Sequence, residues 1–351
     1  MIVVGIDPHK RSHSAVALER QTGELVAELS VPASPEGCTR LLCWALALGE
    51  EVVFALEDCR HVSGPLERFL LARSQRVVRV PPKLMARTRR SARRRGKSDA
   101  IDAAAVARAY LREPGLPRAR VEAQARELKL LVDHREDLVQ ERTRLANRLR
   151  WHLHELELGA DLPAGALDRA CWHERIEERL SRLEQTTQVE IARELLARID
   201  ELTRRSKELE GEIGARVRVT APAVLALTGC GALTTAKIVA ESGGGGRFRD
   251  DAALALHAGV APLDASSGEQ RRHRLNRTGN RQLNCALHRM AVTQGRVDPR
   301  ARAYLERRQA EGKTRREALR CLKRHLARVV YHALTDDVDA PKSHRREPAL
   351  T

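Results

Sequence analysis

Two long stretches, residues 121–157 and 173–217, carry many charges and no proline, and they constrain the fold of this chain more than any other feature. In the first, Leu131, Leu138 and Leu145 fall seven apart, and Leu149, Leu153 and Leu156 continue the stripe. In the second, Ile176, Leu180, Leu183, Ile191, Leu195, Leu202, Leu209 and Ile213 keep a similar spacing. A helix places such residues on one face, and that face has to be covered by another helix. The spacing predicts a helical hairpin or coiled-coil arm, broken around Gly159, Pro163 and Gly165. Arms of this kind commonly mediate dimerisation.

The chain ahead of the arms reads differently. Residues 2–7 (IVVGID), 12–19 and 24–31 are short β-branched or alternating runs, which predict a meander of antiparallel strands. A helix is expected over 36–48, a buried strand over 51–57, a helix over 64–73 and a strand over 76–80, stopped by Pro81 and Pro82. This β-β-β-α-β-α-β order, with acids at strand ends, is the ribonuclease-H-like pattern. Ser98 is the expected N-cap of a further helix that runs to Pro114. Between them, residues 83–97 hold eight basic residues in fifteen, a segment suited to nucleic acid.

Four acids in this part of the chain carry the chemical argument. Asp7 ends the first strand and Glu57 ends the buried one, while Asp99 and Asp102 sit three apart on one helix face. Carboxylates at strand ends beside an acidic helical pair suit two magnesium ions and phosphodiester chemistry, with Mn2+ able to substitute. Side chains alternate along a strand, so only one of Glu57 and Asp58 can face Asp7. His9 and His13 lie near Asp7, but a lone histidine there reads as a polar surface residue. Gly96-Lys97-Ser98 ends like a phosphate-binding loop, yet Ser91 stands where that loop needs glycine, so ATP hydrolysis is not implied.

Composition points to the partner. The 351 residues include 63 Lys and Arg against 47 Asp and Glu, a net charge of +16, so a polyanion is expected. Aromatic residues are only 3%, which argues against base stacking as the main binding device. Binding should run through basic side chains: Arg89, Arg90, Arg93, Arg94, Arg95 and Lys97 in one segment, and Arg271, Arg272, Arg274, Arg277 and Arg281 in another. The seven cysteines are scattered, without a Cys-x-x-Cys pair, so neither a zinc site nor a disulfide framework is expected. Neither a signal peptide nor a membrane span is expected, and the protein should be cytoplasmic.

The C-terminal third is expected to be mainly helical, over 281–294 and 300–333, with a disordered tail over 336–351. LTGCG at 227–231 leads into a helix like a helix-hairpin-helix turn, whose amides grip phosphate. Ser266-Ser267-Gly268 is a turn by pattern, but a serine among arginines is also a possible nucleophile on a phosphodiester. The expected divisions are 1–115, 116–218, 219–335 and 336–351.

Taken together, these motifs resemble the DEDD-type transposases of the insertion-sequence one-ten family, with its sister eleven-eleven group. The resemblance covers roughly residues 1–335 and rests on GIDPHK at 5–10, Glu57, GKSDAIDA at 96–103, LTGCG, AGVAP at 258–262, and SSG followed by R-x-G-N at 277–280. It implies an α/β RuvC-like domain (1–115) in which Asp7, Glu57, Asp99 and Asp102 are metal ligands. It implies coiled-coil arms (116–218) and a helical transposase domain (219–335) in which Ser267, or Ser266 one place off, is the nucleophile. Arg277, Gly279 and Asn280 match the segment after that serine. The resemblance further implies a phosphoserine link to DNA, and a site composed of acids from one subunit and serine from another. It implies a bridge RNA that pairs with donor and target DNA, and a homo-oligomer, a dimer or dimer of dimers. The chain departs from the family at Asp58-Cys59-Arg60, where Thr-Gly often follows the glutamate, and at Glu269, where glycine is common. From the residues alone, the competing function is a magnesium-dependent junction-resolving endonuclease that uses water. A further one is a binding protein with structural acids.

Overall fold

A computed structural model describes residues 1–82, 84, 85, 88, 98–113, 115, 116, 118–120, 123–159, 162, 163, 165–264, 273–277 and 279–339. The chain divides into two compact units, Met1–Val121 and Glu122–Thr351.

The first unit is built on a five-stranded mixed sheet in the order β3-β2-β1-β4-β5. Strands β1 (Ile2–Pro8), β2 (Ser12–Glu19) and β3 (Leu25–Pro32) form the expected antiparallel meander. Strands β4 (Val52–Glu57) and β5 (Arg76–Val80) add parallel to β1, which requires crossover helices. Helix α1 (Pro35–Ala47) and helix α2 (Arg60–Ala72) supply them. One face of the sheet, with Ile2, Val4, Ile6, Phe54 and Leu56, packs on α1 and α2 residues such as Leu41, Leu66 and Leu70. The other face, with Val3, Val53, Ala55 and Val78, packs on α3 (Asp99–Arg112). The run of alanines in α3 lets it lie close. A Cβ on Gly5 would stand 2.2 Å from the Ala103 carbonyl oxygen and 2.5 Å from the Ala107 nitrogen.

The second unit is helical. Helix α4 (Ala123–Glu155) runs antiparallel to α6 (Thr187–Thr220), with Arg135 3.0 Å from Glu210 and Arg198 3.3 Å from Glu141. This is a hairpin within one chain. Its buried stripe on α4 is Leu128, Val132, Ala146, Leu149 and Leu153, while Leu131, Leu138 and Leu145 are only half-buried. The second arm is not continuous as expected. Helix α5 (Ala170–Ser181) stops, and α6 restarts where the Thr186 side chain accepts from the Val189 amide at 3.4 Å.

Beyond the hairpin come α7 (Pro222–Leu225), α8 (Ala232–Ser242), α9 (Asp251–His257), a two-stranded pairing of β6 (Leu263–Asp264) with β7 (His273–Arg274), and α10 (Arg281–Val297). The expected single helix over 300–333 is two, α11 (Pro299–Ala310) and α12 (Arg315–Asp339). Gly312, at φ +86°, ends the first, and Thr314 and Glu317 form a capping box that starts the second. The expected disorder of 336–351 is corrected for residues 336–339, while 340–351 lie outside the described residues. The helix persists to Asp339 because Asp337 accepts from the amides of Ala223 at 2.8 Å and Val224 at 3.2 Å. Among the described residues, no helix is long and apolar enough to cross a membrane.

Candidate active site

Of the predicted acids, Asp7 and Asp99 come together where β1 ends over the start of α3. The parallel register pairs Ile6 with Leu56, so the next rung pairs the positions of Asp7 and Glu57. Alternation puts both on the face of Val3, Val53 and Ala55, which is the α3 face, and turns Asp58 the other way. The sequence left Glu57 and Asp58 open as partners for Asp7; the register favours Glu57.

On α3, the Ser98 hydroxyl caps the helix by accepting from the Ile101 amide at 3.3 Å. Asp99 and Asp102 therefore occupy the first turn, where the helix dipole favours negative charge. Asp7 and Asp102 are buried and Asp99 is exposed. The close approach allowed by Gly5 brings this turn to the end of β1.

His9, which the sequence favoured as a polar surface residue, bridges the two elements. Its Nε2 lies 3.2 Å from Asp7 Oδ2 and 3.4 Å from Asp99 Oδ1. One ligand atom from each of Asp7, His9 and Asp99 falls within 4.8 Å of the others, a spacing that can hold a metal ion. The Cys59 thiol is pushed up to about 11, first by burial and then by Glu57, Asp7 and Asp58. A donor set of carboxylate oxygens suits Mg2+, and the added imidazole nitrogen suits Mn2+ as well. The only cue in the sequence was spacing, a histidine two residues past the strand-end acid.

Ser266, Ser267, Arg271 and Arg272 lie outside the described residues, as do Arg89, Arg90, Arg93, Arg94, Arg95 and Lys97. The segment after the serines is described, and Arg274, Arg277 and Arg281 are exposed there. Gly279 presses on Gly259 so closely that a Cβ would stand 2.2 Å from the Gly259 nitrogen. Asn280 caps α10, accepting from the Leu283 amide at 2.9 Å, and its own amide donates to the His257 carbonyl at 2.6 Å. Its side-chain nitrogen donates to Glu241 at 2.6 Å, and Lys129 reaches the same carboxylate at 2.5 Å. Asn284 donates to the Ala258 carbonyl at 2.9 Å and accepts from Lys323 at 2.8 Å. The R-x-G-N segment is thus clamped to α8, α9 and α4 of its own unit.

A model of DEDD transposases of the IS110 type, described as Transposase, matches residues 4–157. A second, described as Transposase IS116/IS110/IS902 family, matches residues 221–306. The chain belongs to the IS110 family of transposases. The transposase is 29% identical to the insertion element IS116 44.8 kDa protein of Streptomyces clavuligerus, over 95% of each chain. It is 27% identical to the insertion element IS900 42 kDa protein of Mycobacterium paratuberculosis, again over 95% of each. With the IS110 43.6 kDa protein of Streptomyces coelicolor the identity is 35%, over 37% of this chain and 33% of the other. Among solved structures, Thermus thermophilus RuvC covers 34% of the transposase and 100% of its own chain at 17% identity, with a TM-score of 0.26. That likeness is too slight to carry an argument.

Proposed function

We propose that this transposase cuts and rejoins DNA strands at a magnesium site made by Asp7, Glu57, Asp99 and Asp102, with Ser267 as nucleophile. The observation that carries the metal site is the convergence of Asp7, His9 and Asp99 at the end of β1. The assignment of Ser267, with Ser266 as the alternative, rests on the match of SSG and R-x-G-N to the family pattern.

In this reading the Ser267 Oγ attacks a phosphorus, the serine proton is lost, and one strand leaves with a free hydroxyl. The phosphodiester energy is kept in the phosphoserine link, so another hydroxyl can displace the serine without ATP. Mg2+, when bound, lowers the barrier by polarising the phosphate and acidifying the hydroxyl. Asp7, Glu57, Asp99 and Asp102 would hold the ion, with His9 orienting Asp7 and Asp99. Arg274, Arg277 and Arg281, with the basic residues of 89–97 and Arg271 and Arg272, contact phosphates.

We also propose that a bridge RNA pairs with donor and target DNA, so the protein recognises backbone and shape while base pairing selects sequence. The low aromatic content supports that division. The Gly231 turn before α8 adds amides for phosphate, and the helical hairpin joins copies into a dimer or dimer of dimers.

Ser267→Ala tests the chemistry. A serine recombinase loses its covalent DNA adduct and strand exchange, whereas a junction nuclease that uses water keeps its cleavage. Asp7→Ala and Asp102→Ala should abolish both activities. RNA that co-purifies with the protein and comes from the flank of its own gene supports guidance.

A further inference from the structure

On the side of the sheet opposite α3, beside the acidic cluster, lies a cavity of about 330 Å³. Its walls include Pro35 from α1, Val62, Pro65 and Phe69 from α2, and His13 from β2, with the exposed Lys10 at its edge. The guanidinium of Arg73 stacks 3.6 Å from the Phe69 ring centre, so one face of that ring is already covered by a cation. His13 is 3% exposed, and its Nδ1 makes no hydrogen bond within the described chain. His9 belongs to both places: it lines the cavity and reaches Asp7 and Asp99.

We propose that this cavity takes one unstacked nucleotide of the DNA strand whose neighbouring phosphodiester lies at the acids, its base against Phe69 and its phosphate at Lys10. This rests on the reading of the acids as a DNA-processing site. The volume falls in the range of small-molecule pockets, and the lining is apolar with a few polar groups, as a base requires. An unsatisfied nitrogen in a buried wall is a cost that the edge of a base can relieve. Because His9 stands over the end of β1, a strand can lay one phosphate on the α3 side and the adjoining base on the α1–α2 side. Such a site would hold the strand through a single base–ring contact, without the extended run of stacking aromatics that the composition disfavours.

The test uses the full chain and a single-stranded oligodeoxynucleotide of 5-iodouracil, which cross-links under light to a ring stacked on it. An RNA of the same sequence serves as the second arm. Adducts read by mass spectrometry should map to the peptide that contains Phe69, with the DNA. The double variant Ala33→Met, Val62→Met narrows the cavity and adds no ring; it should lose that adduct while DNA affinity by anisotropy changes less than about threefold, since backbone contacts dominate affinity. Lys10→Gln, at an exposed position, should weaken the same adduct and guards against a folding defect in the double variant. DNA binding with no adduct at Phe69, or an undiminished adduct in the narrowed variant, overturns the proposal. An adduct with RNA alone overturns the assignment to DNA. Absence of any DNA binding would instead strike the proposed function, and this site would fall with it.

Discussion

His9 is the residue whose importance depends most on its surroundings. An exposed histidine in a turn is ordinary, but this one places a single nitrogen between two carboxylates from different elements. It ties the end of β1 to the first turn of α3. We expect His9→Ala to lower divalent-metal affinity by about 10- to 100-fold, the usual effect of removing a group that orients ligands. Titration of strand cleavage with Mg2+ and Mn2+ checks this, and unchanged metal dependence would remove His9 from the site. Gly5 acts more remotely. A methyl group there meets the α3 backbone at 2.2 Å, so Gly5→Ala must push the helix away. The expected cost is about 1–3 kcal/mol, read from chemical denaturation, together with loss of cleavage as Asp99 and Asp102 retreat from Asp7. Retained activity in a destabilised variant would separate the packing from the chemistry.

At the scale of elements, the helical hairpin has apolar clusters toward its two ends and charged pairs between α4 and α6. A buried pair also ties α8 to α4. Lys237 on α8 has a side chain only 5% exposed and pairs with Glu136 on α4, while also donating to Gln282 at 2.8 Å. Removing one partner of such a pair leaves a buried charge uncompensated. Glu136→Ala is expected to destabilise the second unit by about 3–5 kcal/mol, whereas Glu136→Ala with Lys237→Met should recover much of that loss. Denaturant midpoints of the two variants decide the matter. Elements also mark where reading along the chain succeeded. The meander, β4 and β5 were legible because alternation and β-branched runs are local signals. The break at Thr186 was not, because the apolar stripe of Leu180, Leu183, Ile191 and Leu195 continues across it and the Thr186 cap reveals the stop.

At the scale of the whole molecule, pH reports on the histidines of the second unit. His288 is held below its ordinary value of 6.5 by burial and then by Lys323. His325 is held below the same 6.5 by burial and then by Arg308 and neighbouring arginines. Each is favoured neutral when folded, so the unfolded chain binds more protons below about pH 6.5. Their contribution to stability is complete above that pH and is lost as the pH falls through the depressed folded values. Denaturation midpoints should therefore drop between about pH 7.5 and about pH 5.5, and His325→Gln should flatten the change. An unchanged slope in that variant would show that its imidazole is not the group that titrates.

The sequence by itself determined the kinds of element, the acids available and the excess of positive charge, because periodicity, composition and charge need no long-range contact to be read. Tertiary structure decided which acids meet. Asp7 and Asp99 are 92 positions apart, and they converge because α3 settles closely onto β1 at Gly5. The same packing drew in His9, which lies 3.2 Å from Asp7 and 3.4 Å from Asp99. No local pattern encodes a strand register or the depth at which a helix lies on a sheet, since both follow from how the two apolar faces close together.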